Sequence, residues 1–166
     1  MKLNKSKLAK AIPFSMLLAA ALVLLPAASA STAIPMKGSG TFNATVYTDT
    51  TLYSFGGYTI YSFTGQDVFS GTEVGTGSFV LTLLVFPSGG DVGAGTVTCP
   101  SCTVDGVAGT FSLHFTSEGT FGGSGVGQGE LSGSGGLTGF HGLATFQDVT
   151  TETGFTGPYQ VTYVLG

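Results

Sequence analysis

The feature that most limits what this chain can become is a period of two, sustained from about residue 39 to the end. "GTFSLHF" (109–115) puts Phe111, Leu113 and Phe115 on one side and Thr110, Ser112 and His114 on the other. "SGTFNATVY" (39–47) separates Phe42, Ala44 and Val46 from Thr41, Asn43 and Thr45 in the same way. Alternate residues of an extended chain point to opposite faces, so each stretch reads as a strand with one buried face. "YTIYSFT" (58–64) is apolar on both sides, and "GSFVLTLLVFP" (77–87) is the longest apolar run of the region, ending at a proline before the turn "SGGD". "GAGTVTC" (93–99), "GQGELSGSG" (127–135), "HGLATFQ" (141–147) and "PYQVTYVL" (158–165) follow. Beyond the N-terminal leader, no segment sets apolar residues at helical spacing without an intervening glycine, so no helix is expected there.

The chain holds 28 glycines, all of them after residue 30. Disordered glycine-rich chains lack aromatic and β-branched residues, whereas here Phe, Tyr, Val and Thr are interleaved with the glycines. A glycine weakens a strand unless the strand must bend sharply or pack closely, and a closed barrel of few strands demands both. The expected fold is therefore all-β: a small closed antiparallel β-barrel of about eight strands. Gly-(Thr/Ser)-Phe opens strands at Gly40, Gly77, Gly109 and Gly119, at a spacing too irregular for a repeat array.

The N-terminus reads as an export signal. Lys2, Lys5, Lys7 and Lys10 precede a continuous apolar run, "FSMLLAAALVLL" (14–25); Pro26 breaks it, and Ala28-Ser29-Ala30 supplies the small-x-small pattern of a cleavage site. The run is shorter than the ~20 residues a membrane-spanning helix needs. The expectation is a cleaved helical signal peptide at residues 1–30, a single barrel domain at 31–166, a secreted or otherwise extracytoplasmic location, and no stable membrane anchor. Without the leader, Lys37 stands alone against nine acids, a formal charge of −8. So few cations cannot neutralise a phosphate backbone or an anionic lipid surface, which argues against nucleic-acid and membrane partners.

The segment "VDGVAGTFSLHFTSEGTFGGSGVGQGELSGSGGLTGFHGLATF" (104–146), closed by "YQVTYVL" (159–165), resembles a family of small bacterial proteins of unassigned function. The barrel of that family is similar to those of plant allene oxide cyclases and dirigent proteins. The shared pattern is a strand of Gly-x-Phe type, then Ser132-Gly133-Ser134-Gly135-Gly136-Leu137-Thr138-Gly139-Phe140-His141-Gly142, then Ala144 to Phe146. "GTEVGTGSFVL" (71–81) is similar to the family's earlier strand pair. The resemblance implies the barrel, and with it a cyclase or isomerase activity or a dirigent-like interaction role. The polar set that allene oxide cyclases hold in their apolar cavity maps onto none of the matching residues.

Chemistry-bearing motifs are few. The glycines of "GELSGSGGLTGFHGLATF" (129–146) do not form a nucleotide loop, because the chain continues as a strand where such a loop needs a helix N-terminus. Gly133, Gly135, Gly136, Gly139 and Gly142 read instead as turn or bulge positions. Cys99-Pro100-Ser101-Cys102 reads first as a disulfide in an exported chain, worth about 2 kcal/mol for so short a loop. A redox pair would want a helix N-terminus, and zinc a second pair of ligands. His114 falls on the polar face of its strand, and His141 stands in no recognisable triad. Glu118 and Glu130 flank a turn and could converge as an acid–base pair, which leaves Glu130 and His114 as weak catalytic candidates. Solvated carboxylates are the simpler account. Asn43-Ala44-Thr45 is a glycosylation sequon where the host modifies exported proteins. No motif calls for a metal or another cofactor. The inward-pointing Phe, Tyr, Val and Leu favour a non-catalytic barrel that binds a small apolar molecule or serves structurally at the cell surface.

Overall fold

The alternating segments form one sheet whose two ends meet. In the computed structural model, residues 33–166 are described; the expected leader, with Ala28 and Ala30, lies outside them. Eight strands run in order: β1 (Met36–Phe55), β2 (Tyr58–Gly71), β3 (Glu73–Val85), β4 (Gly90–Val104), β5 (Val107–Thr120), β6 (Ser124–Ser134), β7 (His141–Thr150) and β8 (Gly154–Val164). Each pairs antiparallel with its neighbour in the chain, and β1 also pairs with β8, Gly40 lying opposite Tyr159. The ring therefore closes on itself through residues 36–45 of β1, while β1 beyond Thr45 pairs with β2 alone. Among the described residues the only helical piece is a 3₁₀ turn, Gly135–Leu137.

All seven links between the strands are short and alternate between the two ends of the ring. At one end, Gly56 and Gly57 join β1 to β2 with φ of +60° and +83°, the positive values a two-residue hairpin turn asks for. The β3–β4, β5–β6 and β7–β8 turns share that end.

Inside the ring, glycines and aromatic rings face one another across neighbouring strands. Gly65 lies opposite Phe79, Gly95 opposite Phe115, and Gly127 opposite Phe146. A methyl group added at any of the three would meet the ring of its partner. The missing side chain is thus the space in which the ring lies. This alternation of small and large residues lets a narrow ring of strands hold many phenylalanines. The rings meet edge to face: Phe146 is 5.8 Å from Phe42 and 5.7 Å from Phe115, at 82° and 80°.

The end opposite the Gly56-Gly57 turn is plugged. After β6 the chain turns through Gly135 (φ +64°) and Gly139 (φ +88°), and between them Leu137 and Phe140 tuck into the core. Backbone bonds hold the turn shut: Phe140 N–H donates to Leu137 at 2.9 Å, and Gly133 N–H to Phe140 at 2.9 Å. The Phe140 ring meets Tyr163 edge-on at 5.8 Å. "GELSGSGGLTGFHGLATF" is therefore strand, plug and strand in succession. Gly133 and Gly136 leave room for Leu137 and for the Ala108 carbonyl, and Gly142 sits against Tyr163.

Cys99 and Cys102 sit beside the plug. Both are buried, and their Cα atoms are 5.7 Å apart, within the roughly 4.4–6.8 Å that a disulfide bridges. The register explains why the pair exists. Cys99 lies opposite Phe111 and Cys102 opposite Gly109, so β4 carries one residue more than β5 here, a β-bulge that the two cysteines span. Replacing both with serine should lower stability by about 2 kcal/mol under oxidising conditions and by much less in reductant. Chemical denaturation with and without dithiothreitol measures this.

Candidate functional site

Between the plug and the opposite end the ring encloses a cavity of about 570 Å³. Its walls are the inner-face residues of the strands, chiefly Phe42, Phe63, Phe79, Leu81, Leu113 and Phe146, with Phe69, Phe111, Glu73 and Tyr159 toward the plug. It reaches the end marked by 119–125 and 150–154, the β5–β6 and β7–β8 turns. The volume lies within the ~300–1,000 Å³ typical of small-molecule sites, and an apolar wall with a few polar groups is the usual composition of such sites.

Two carboxyl groups point inward. Glu73, the first residue of β3, is 3% exposed and lines the cavity; neither of its carboxyl oxygens has a hydrogen-bond partner. The nearby Tyr159 hydroxyl is engaged with backbone: it accepts from Glu73 N–H at 3.0 Å and faces the carbonyls of Ser70 and Glu73 at 3.4 Å. Burial pushes the Glu73 carboxyl above the ordinary carboxylate range. The Tyr159 hydroxyl offsets part of this, and the charge of Asp105 adds a little to it. Asp67, on the inner face of β2 between Gly65 and Phe69, is 6% exposed, and its Oδ1 has no partner. Burial raises it from 3.8 to about 7, against a smaller lowering by the Val68 backbone.

Toward the open end the lining becomes acidic. Asp91 and Asp148 both line the cavity there and both titrate above the usual carboxylate range. Partial burial is the cause for Asp91; for Asp148 burial is the larger cause and the charge of Asp91 the smaller. Asp49, Glu118 and Glu152 belong to the same rim. No group of three or more His, Cys, Asp or Glu among the described residues is arranged to hold a metal ion.

Of the residues singled out from the sequence as chemical candidates, Glu118 stands on this rim, while His114, Glu130 and His141 lie elsewhere. His114 and Glu130 are direct cross-strand partners on β5 and β6, but both are exposed on the outer face, where His114 Nδ1 is 3.2 Å from the Thr96 hydroxyl. Glu118 lies opposite Val126 rather than converging on Glu130. His141 is exposed, with Nδ1 2.9 Å from the Gly139 carbonyl. The inward acids carry a signal that alternation contains: Asp67 is in phase with Phe63 and Phe69, and Asp148 with Ala144 and Phe146. Asp91 and Glu73 are in phase mainly with glycines, which mark neither face.

Neither a protein-family model nor a curated protein matches this sequence. Among solved structures, the fold is similar to that of a protein of unknown function from the DUF3224 family of Shewanella oneidensis MR-1. The TM-score is 0.62 at 18% identity, covering 80% of this chain and 98% of that one. At this identity the likeness is one of fold.

Proposed function

We propose that this chain is an exported β-barrel whose interior binds a small apolar molecule. The observation that carries the reading is the cavity of about 570 Å³, walled by phenylalanine and leucine, plugged at one end and reached from the other. Small barrels either fill their interiors with side chains or hold one ligand there, and the rings of Phe79, Phe115 and Phe146, each lying over a glycine of the neighbouring strand, line a cavity that is not filled. Export is supported by the tripartite N-terminus and suits a Cys99–Cys102 bridge.

The cavity predicts saturable binding of an apolar fluorophore such as 1-anilinonaphthalene-8-sulfonate or N-phenyl-1-naphthylamine by the mature chain. Ala144 lines the cavity, so Ala144→Phe should weaken that binding about tenfold or more by occupying the space. A stably folded Ala144→Phe variant that binds as the wild type does would place the probe outside the cavity and overturn the reading.

A cyclase or isomerase activity is the second reading. It has one observation behind it, the unpartnered Glu73 carboxyl in an apolar chamber. Binding without turnover of any bound compound supports the first reading over this one.

A further inference from the structure

We propose that the occupant of the cavity is a lipophilic cation: an apolar body bearing one amine, whose ammonium group meets the carboxyl of Glu73. The inference rests on the ligand-binding reading above and names the class of ligand.

Both oxygens of Glu73 are buried without a hydrogen-bond partner, and this side chain lines the cavity beside the plug. A buried polar group left unpaired is costly, and native proteins rarely retain one unless something else satisfies it. An oxygen acceptor pair in the wall of a chamber is satisfied by a donor, and a positively charged donor satisfies it best. Nothing among the described residues supplies that charge. Lys37 is the one Lys or Arg after residue 30 and lies exposed on β1, and both histidines are exposed on the outer face.

The rest of the chamber points the same way. Asp91 and Asp148 stand on the route from the open end, with Asp49, Glu118 and Glu152 on the rim, and no Lys, Arg or His among the described residues lines it with them. A cleft lined by one sign of charge with apolar walls concentrates the opposite ion and repels its own. Aromatic walls add their own attraction for a cation, through Phe69 and Phe111 near the floor. A fatty acid of the same size would have to carry its carboxylate past five acids toward a sixth. The elevated titration of Glu73 fits a carboxyl that stays protonated in the empty cavity and ionises when a counter-charge arrives.

The test compares three probes of equal chain length, decylamine, decanol and decanoate, as competitors of the bound fluorophore at pH 8. An alkyl amine, like lysine, is protonated there. The expected order is decylamine tighter than decanol by about tenfold or more, as hydrogen bonding to a charged group implies, and decanoate weakest. Glu73→Gln keeps the shape and removes the charge. It should leave decanol within about threefold of wild type and abolish most of the amine's advantage. Equal competition by decylamine and decanol, or a preference for decanoate, overturns the inference while the cavity reading stands. An amine advantage that survives in folded Glu73→Gln overturns the assignment to Glu73. Failure of all three probes sinks both readings. The wild-type ranking alone decides the sign of the ligand's charge, so the test holds even where the variant does not fold.

Discussion

Phe111→Ala is expected to lower the stability of the folded chain by about 3–5 kcal/mol, the range for deleting a buried aromatic side chain. Phe111 is 1% exposed, the largest of the fully buried side chains, and it stands where cavity and plug meet. Its ring meets Phe69 edge-on at 5.5 Å and 69°. Across the strands its neighbours are Cys99 and Gly133. Gly133 carries no side chain to move into the space, Cys99 is held to Cys102, and Leu137 is fixed by the backbone bonds of its turn. The site therefore collapses little, which places the loss toward the upper part of that range. For a domain of this size it corresponds to a fall in melting temperature of roughly 10–20 °C. Calorimetry and urea denaturation measure the loss, and a crystal structure should show the cavity extended toward the plug. A loss under about 1 kcal/mol would mean that the floor rearranges freely and that Phe111 does not separate the two regions.

The second large effect is a dependence of stability on pH that runs opposite to the familiar acid denaturation. Burial raises Asp67 from 3.8 to about 7 in the folded chain. Below about pH 4 the group is protonated in both folded and unfolded states, and its contribution is at its most favourable. Between about pH 4 and 7 the unfolded chain gives up the proton while the folded chain keeps it, so stability falls as pH rises through that window. At 1.36 kcal/mol per pKa unit, the full displacement corresponds to a loss on the order of 4 kcal/mol by pH 8. Glu73, raised in the same direction by the same cause, adds to the trend. The melting temperature should therefore be highest near pH 4–5 and lower by roughly 10 °C at pH 8. Asp67→Asn cannot ionise and should melt above the wild type at pH 8 by most of that difference, with little gain at pH 4. Melting curves of both proteins across this range decide it. A wild type equally stable at pH 5 and pH 8, or an Asp67→Asn variant with the same slope, would show that water or a counter-charge reaches this carboxyl.

The sequence by itself determined the class of fold. A period of two with glycine-punctuated turns leaves extended strands as the one regular structure that can bury Phe111, Leu113 and Phe115 on a single face. Strand count and antiparallel sense followed because every connection is too short to cross over. The inward glycines were legible as places of bending or close approach. Their pairing with Phe79, Phe115 and Phe146 was not, since register is set between strands distant in sequence. Asp67 and Asp148 stood in phase with buried phenylalanines, but an acid in an apolar phase can also mark a bulge or a strand end. Glu130 and His114 do meet across two strands, yet the alternation placed His114 outward and gave no means of knowing which acids faced the chamber. Tertiary structure alone decided three matters: the register in which β1 meets β8 to close the sheet, that Leu137 and Phe140 seal one end, and that Glu73 is left unpaired beside a vacancy of about 570 Å³. Each depends on which residues from separate strands come to share one enclosed volume, and local pattern carries no record of a distance measured across the ring.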